Sequence, residues 1–96
     1  MLKLANYIDG QLVPAASGGW LDDFEPATGQ VYARIPDSHK TDVDSAVAAA
    51  KRAFPAWSTT TAEIRSQWLL KLAELVERDL EKLVRAESID SGKPVA

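Results

Sequence analysis

Val31-Tyr32-Ala33-Arg34-Ile35-Pro36 alternates apolar and polar residues, and within ten residues the period changes. Val31, Ala33 and Ile35 share one face of an extended strand, with Tyr32 and Arg34 on the other, and Pro36 ends the run. Val43, Ala46, Val47, Ala50 and Phe54 then fall on one stripe of a helix. A period of two followed by a period of 3.6 predicts a mixed α/β segment, strands first and helices after.

Working back from Val31, Pro26-Ala27-Thr28-Gly29 is a turn, with proline setting φ early and glycine closing it. It joins the strand to an extended stretch from Trp20 to Glu25. Upstream, Tyr7-Ile8-Asp9-Gly10-Gln11-Leu12-Val13 carries a hairpin signal, because Asp-Gly suits a type I′ turn whose central residues both need positive φ. Two successive hairpins are therefore expected. Working forward, the first helix is expected to begin near Ser38 or Thr41 and to stop at Pro55. Thr60 with Glu63 has capping-box spacing and opens a second helix, with Trp68, Leu69, Leu72, Leu75 and Val76 as its stripe. Asp79 is placed to cap a third helix carrying Leu80, Leu83, Val84 and Ile89, which Gly92 ends and Pro94 stops.

The 96 residues suffice for one small domain of marginal stability. A net charge of −3 with interspersed signs gives no basic patch for nucleic acid. The apolar runs are too short to span a membrane, and the N-terminus meets a charge too soon for a secretory signal. The absence of cysteine excludes disulfides and thiolate chemistry within these residues. The cytoplasm is the default expectation.

Tyr7-Ile8-Asp9-Gly10, Glu25-Pro26-Ala27-Thr28-Gly29-Gln30-Val31, the run from Asp42 to Phe54, Trp57, and Arg65 ahead of Leu69-Leu70 stand in a fixed order. Leu72 to Glu77 and Glu87-Ser88-Ile89-Asp90-Ser91-Gly92-Lys93-Pro94 complete it. In that order and spacing the chain resembles the N-terminal segment of the NAD(P)-dependent aldehyde dehydrogenases. Glu25 departs mildly from the family pattern, which usually has Asn there. Phe54-Pro55-Ala56-Trp57-Ser58 looks closest to the semialdehyde-oxidising branch.

The resemblance implies an α/β parent whose cofactor-binding domain starts here, with hairpins over 1–37 and helices over 38–96 forming an incomplete domain. It implies oxidation of a small aldehyde to a carboxylic acid with NAD or NADP. The catalytic Cys, the general-base Glu, the oxyanion Asn and the glycine-bearing nucleotide loop of such enzymes lie further along. No catalytic or cofactor-binding residue is therefore assigned, and neither turnover nor bound cofactor is expected of this chain alone. The run from Asp90 to Pro94 reads as the interior of a longer protein. The implied partners are the remainder of the enzyme and further copies in a homo-oligomer. The resemblance also implies a structural monovalent cation held by the Asp90 carboxylate and the backbone carbonyl of Phe24, oxygen ligands of the kind a hard cation takes.

The residues themselves offer little else. The glycines do not form G-x-G-x-x-G, and the Gly92-Lys93 pair lacks P-loop spacing, so turn glycines and a solvated lysine are expected. His39 has no companion ligands and carries no metal assignment. Asp22, Asp23 and Glu25 read as a solvated acidic stretch protecting a sheet edge. Trp20, Trp57 and Trp68 read as anchors between hairpin and helix, some of them left in water if cover is missing. A second reading stays open, that of a free-standing interaction module using an exposed helical face.

Overall fold

A computed structural model describes residues 1–95. The strands are β1 (Leu2–Lys3), β2 (Asn6–Ile8), β3 (Gln11–Val13), β4 (Trp20–Glu25) and β5 (Gln30–Pro36), and the helices are α1 (Lys40–Ser58), α2 (Ala62–Arg78) and α3 (Leu80–Ser91). The chain is of mixed α/β class, with both expected hairpins and three helices. β2 and β3 pair antiparallel through Asp9 and Gly10, whose φ values of 52° and 75° meet the turn's requirement. β4 and β5 pair antiparallel around the turn closed by Gly29, whose amide donates to the Glu25 carbonyl at 2.8 Å.

Several expectations are corrected. A two-residue strand, β1, pairs parallel with β5, placing Leu2 beside Ala33 and Lys3 beside Arg34. Two residues carry no readable period, so pattern alone does not reveal it. β5 is thus the centre of a sheet ordered β1-β5-β4, while β2 and β3 form a separate ribbon. Pro55 does not stop α1, which runs on to Ser58. In the last turn Ser58 and Thr59 hydroxyls donate to the Pro55 carbonyl, and the Thr60 hydroxyl donates to that of Trp57, satisfying the end of the helix with side chains. α1 is capped by neither Ser38 nor Thr41 but by His39, and α2 by Thr61, one residue after the expected Thr60, with its hydroxyl accepting from the Ile64 amide at 3.2 Å.

Packing explains the shape. The buried apolar residues are Ala15, Ala33 and Ala49, and among the described residues no large side chain is fully enclosed. α1 turns a small-residue face, Ala46, Ala49, Ala50 and Ala53, toward the β2–β3 ribbon. The expected stripe is rotated from that face: Val47 and Phe54 are exposed, at 47% and 65%. α3 lies on β4, and α2 packs on α3. The result is a plate measuring 47 × 38 × 16 Å, with a radius of gyration of 16.9 Å where a compact chain of this length has about 12–13 Å. Its accessible surface is 7670 Å², against roughly 5,400 Å² for a compact monomer of the same mass.

Candidate functional site

The site begins with an irregularity in β5. Pairing runs Asp22↔Arg34 and Asp23↔Ala33, then jumps to Phe24↔Val31, so Tyr32 is an extra residue on its strand. A bulge of this kind bends the strand and re-aims a side chain. Strict alternation puts Tyr32 opposite Ile35; instead the two line one groove with Leu4, Asp23, Leu83 and Asp90, of about 600 Å³. The Tyr32 hydroxyl donates to Asp90 Oδ1 at 2.8 Å, joining strand to helix across 58 residues of sequence.

The charges follow from that arrangement. Donation to Asp90 holds the Tyr32 phenol well above its usual range. Asp23 is raised above the usual carboxylate range, first by desolvation in the groove and then by the Asp90 carboxyl beside it. The acidic stretch is therefore divided by the pleat and the turn. Asp22 pairs with Arg34 at 3.3 Å, Glu25 accepts from the Thr28 hydroxyl at 3.3 Å, and Asp23 faces α3. β4 is an edge strand, where charge discourages pairing with another chain.

The end of α3 is fixed at the same place. Gly92 caps the helix at φ 78°, and a Cβ there would lie 3.5 Å from Pro26 Cβ in the β4–β5 turn. Ser91 Oγ donates to the Glu87 carbonyl at 2.7 Å and accepts from the Lys93 amide at 3.3 Å. Lys93 lies in this terminal network through its backbone. Oxygen donors of the kind a hard cation takes are present in the Asp90 carboxylate and the strand carbonyls, with Asp90 Oδ1 already accepting from Tyr32. The Phe24 side chain is 55% exposed and stands at the bulge. The approach of Tyr32 and Asp23 to Asp90 is not legible in the sequence, because the bulge that re-aims Tyr32 is announced by no residue type.

A second polar junction holds α1 to the ribbon side. Asp42 is nearly enclosed, and both its oxygens accept backbone amides, Oδ1 from Ala16 at 2.8 Å and Oδ2 from His39 at 2.9 Å. Those donors, His39 first and Ala16 next, depress the Asp42 pKa below the usual carboxylate range. His39 serves through its backbone; its ring is exposed, with Nε2 3.6 Å from Asp37 Oδ1. Asn6 Nδ2 donates to Ser38 Oγ at 2.8 Å alongside. Spacing offered a clue here, an acid three residues after the N-cap, obscured by histidine in a position usually held by Ser, Thr, Asp or Asn.

Neither junction is a catalytic constellation. Among the described residues no three His, Cys, Asp or Glu side chains are gathered to hold a metal ion, and no helix is long and apolar enough to cross a membrane.

Comparison with known proteins gives the larger setting. The 2-aminomuconic semialdehyde dehydrogenase of Homo sapiens is 44% identical over 96 residues, covering 100% of this chain and 19% of that protein. A crystal structure of PnpE in complex with nicotinamide adenine dinucleotide superposes with a TM-score of 0.93 at 47% identity, over 96% of this chain and 19% of that one. A putative aldehyde dehydrogenase from Burkholderia cenocepacia gives a TM-score of 0.93 at 41% identity, over 99% of this chain and 19% of its own. The chain thus spans about a fifth of the length of these relatives. The model of the aldehyde dehydrogenase family matches residues 12–96, nearly the whole sequence and both junctions, and the chain belongs to that family.

Proposed function

We propose that this chain serves as the N-terminal part of the cofactor-binding domain of an NAD(P)-dependent aldehyde dehydrogenase, an incomplete domain with hairpins over 1–37 and helices over 38–96. The whole enzyme oxidises an aldehyde, a semialdehyde by the closeness to 2-aminomuconic semialdehyde dehydrogenase, to a carboxylic acid. The observation that carries the reading is the TM-score of 0.93 at 47% identity to PnpE crystallised with nicotinamide adenine dinucleotide. These 96 residues contain no cysteine, so they supply no thiolate to add to the carbonyl. Their contribution is scaffold: surfaces that the remainder of the enzyme, or a second subunit of a homo-oligomer, covers. The excess of roughly 2,300 Å² over a compact monomer supports this, being of the size that permanent interfaces bury. Asp90, with the Phe24 carbonyl, holds a structural monovalent cation in the assembled enzyme, and no step of the reaction passes through it.

Complementation tests the reading. A semialdehyde dehydrogenase lacking the matching first fifth of its length is co-expressed with this chain, and reduced cofactor is followed at 340 nm. Turnover is expected from the pair and from neither part alone. Turnover by the 96 residues alone, or a purified complex without turnover, contradicts it. The interaction-module reading draws on the exposed α2 stripe, Trp68 at 62% and Leu69 at 64%. It calls for a stable monomer that binds a partner without restoring activity.

A further inference from the structure

We propose that Tyr32 is a clasp: its hydroxyl, aimed by the bulge in β5, fixes the Asp90 carboxylate and thereby the direction in which the chain leaves α3. The inference stands on geometry and is independent of the oxidoreductase reading.

Three observations converge. First, α3 is weakly seated. None of its residues is buried, and its apolar side chains Leu80, Leu83 and Ile89 are 57%, 47% and 39% exposed. Apolar burial therefore does not by itself orient this helix. Second, the groove beneath it is unfilled on the β1 side, where Leu2, Leu4, Ala86 and Ile89 line a cavity of about 350 Å³. A helix over an open groove pivots unless something directional holds it, and a hydrogen bond to a charged acceptor is directional and stronger than a neutral one. Third, the ties that exist gather at one end. Tyr32 meets Asp90 at 2.8 Å, and Pro26 abuts Gly92. Both partners belong to the β4–β5 hairpin, one in its bulged strand and one in its turn.

The consequence reaches Asp90 itself. With Oδ1 accepting from Tyr32, the rotation of the carboxylate about its side chain is set, with Asp23 beside it in the same groove. Tyr32→Phe keeps the ring and removes the donor, so it separates the clasp from packing. Asp90→Asn removes the charge from the acceptor.

The experiment uses the whole 96-residue chain as wild type, Tyr32→Phe, Asp90→Asn and the double variant. Amide hydrogen exchange is measured over residues 87–93, with α1 as internal reference, and the Asp90 13Cγ resonance is followed in wild type and Tyr32→Phe. Each single variant is expected to speed exchange over 87–93 by roughly five-fold, leaving α1 unchanged. The double variant is expected to be no faster than either single one, and the Asp90 resonance to move in Tyr32→Phe. Independent, multiplying effects overturn the proposal, as does an unmoved Asp90 resonance. Unprotected amides over 87–93 in the wild type overturn it too, since no clasp is then formed.

Discussion

α1 and α2 are nearly equal in length, 19 and 17 residues, and both are amphipathic, yet they stand differently in the molecule. α1 is joined to the loop after β3 by an enclosed carboxylate, Asp42, that accepts the Ala16 amide as well as that of its own cap, His39, and a strip of alanines lies close against the ribbon. α2 has a well-formed cap at Thr61 and a basic residue, Arg78, in its last turn, and none of its residues is buried. Trp68, Leu69, Leu70 and Leu72 all stand more than half exposed along it. Caps and dipoles decide that a helix forms and where it starts; they do not decide what covers it. In α1 the alanine strip is covered by this chain while Val47 and Phe54 stay exposed; in α2 most of the apolar stripe is left exposed.

The comparison breaks first at the apolar stripe. Trp68→Glu with Leu72→Glu should have opposite effects in two settings. In the complemented enzyme the pair should weaken reconstitution roughly 100-fold or more, since each such side chain is worth about 1.5–3 kcal/mol when buried. In the isolated chain the same pair should raise solubility and reduce association, measured by light scattering. Weakened stability of the isolated chain, with no effect on reconstitution, would show that α2 is covered from within.

Asp42→Ala probes the other side. It leaves two amides without their acceptor, and the midpoint of thermal unfolding should fall by on the order of 5 °C or more. The pH dependence has a definite sign. The folded-state pKa of Asp42 is depressed, so its stabilisation is fully present above the ordinary carboxylate pKa. It is lost as pH falls from there through the depressed value. Wild type and variant should therefore converge on acidification, and a gap that persists at the lowest pH would assign the loss to packing. Thr61→Ala removes a cap from α2, at a cost of about 1 kcal/mol. Because α2 is not fixed by tertiary burial, that loss should appear as fraying of residues 62–65 in hydrogen exchange more than as a shift in the global midpoint.

Much of this was legible beforehand, for identifiable reasons. Both hairpins followed from Asp9-Gly10 and from Pro26 to Gly29, where φ requirements restrict the residue choice. The end of α3 followed from Gly92 in the left-handed region. The bulge did not follow, because it depends on which residues of β4 and β5 face each other, a property of two strands together. Tyr32 was placed on the wrong face for that reason, and the Tyr32–Asp90 contact was hidden with it. The helical stripes are legible from their period, and their exposure agrees with the expectation that some apolar residues stand in water where cover is missing. Periodicity reports an apolar face, and α2 shows that such a face can stand exposed on a well-capped helix.

The smallest expected effect lies on the outer face of α1. Lys40 and Asp44 form the shortest ion pair in the described residues, 2.7 Å, and distance alone suggests an important contact. Three considerations argue otherwise. The side chains are 89% and 61% exposed, so water and salt screen the attraction and the pairing costs side-chain freedom. The order is the weaker one, with the cation one turn nearer the helix N-terminus than the anion. Lys40 is also the first residue of α1, where the helix dipole favours negative charge. Lys40→Ala should therefore move the unfolding midpoint by no more than about 2 °C, with a rise as acceptable as a fall. Asp42 and Asp44 are two residues apart on one helix, and the difference between their variants should be set by enclosure and backbone donors rather than by the length of the shortest contact. An Asp44→Ala loss as large as that of Asp42→Ala would remove the distinction.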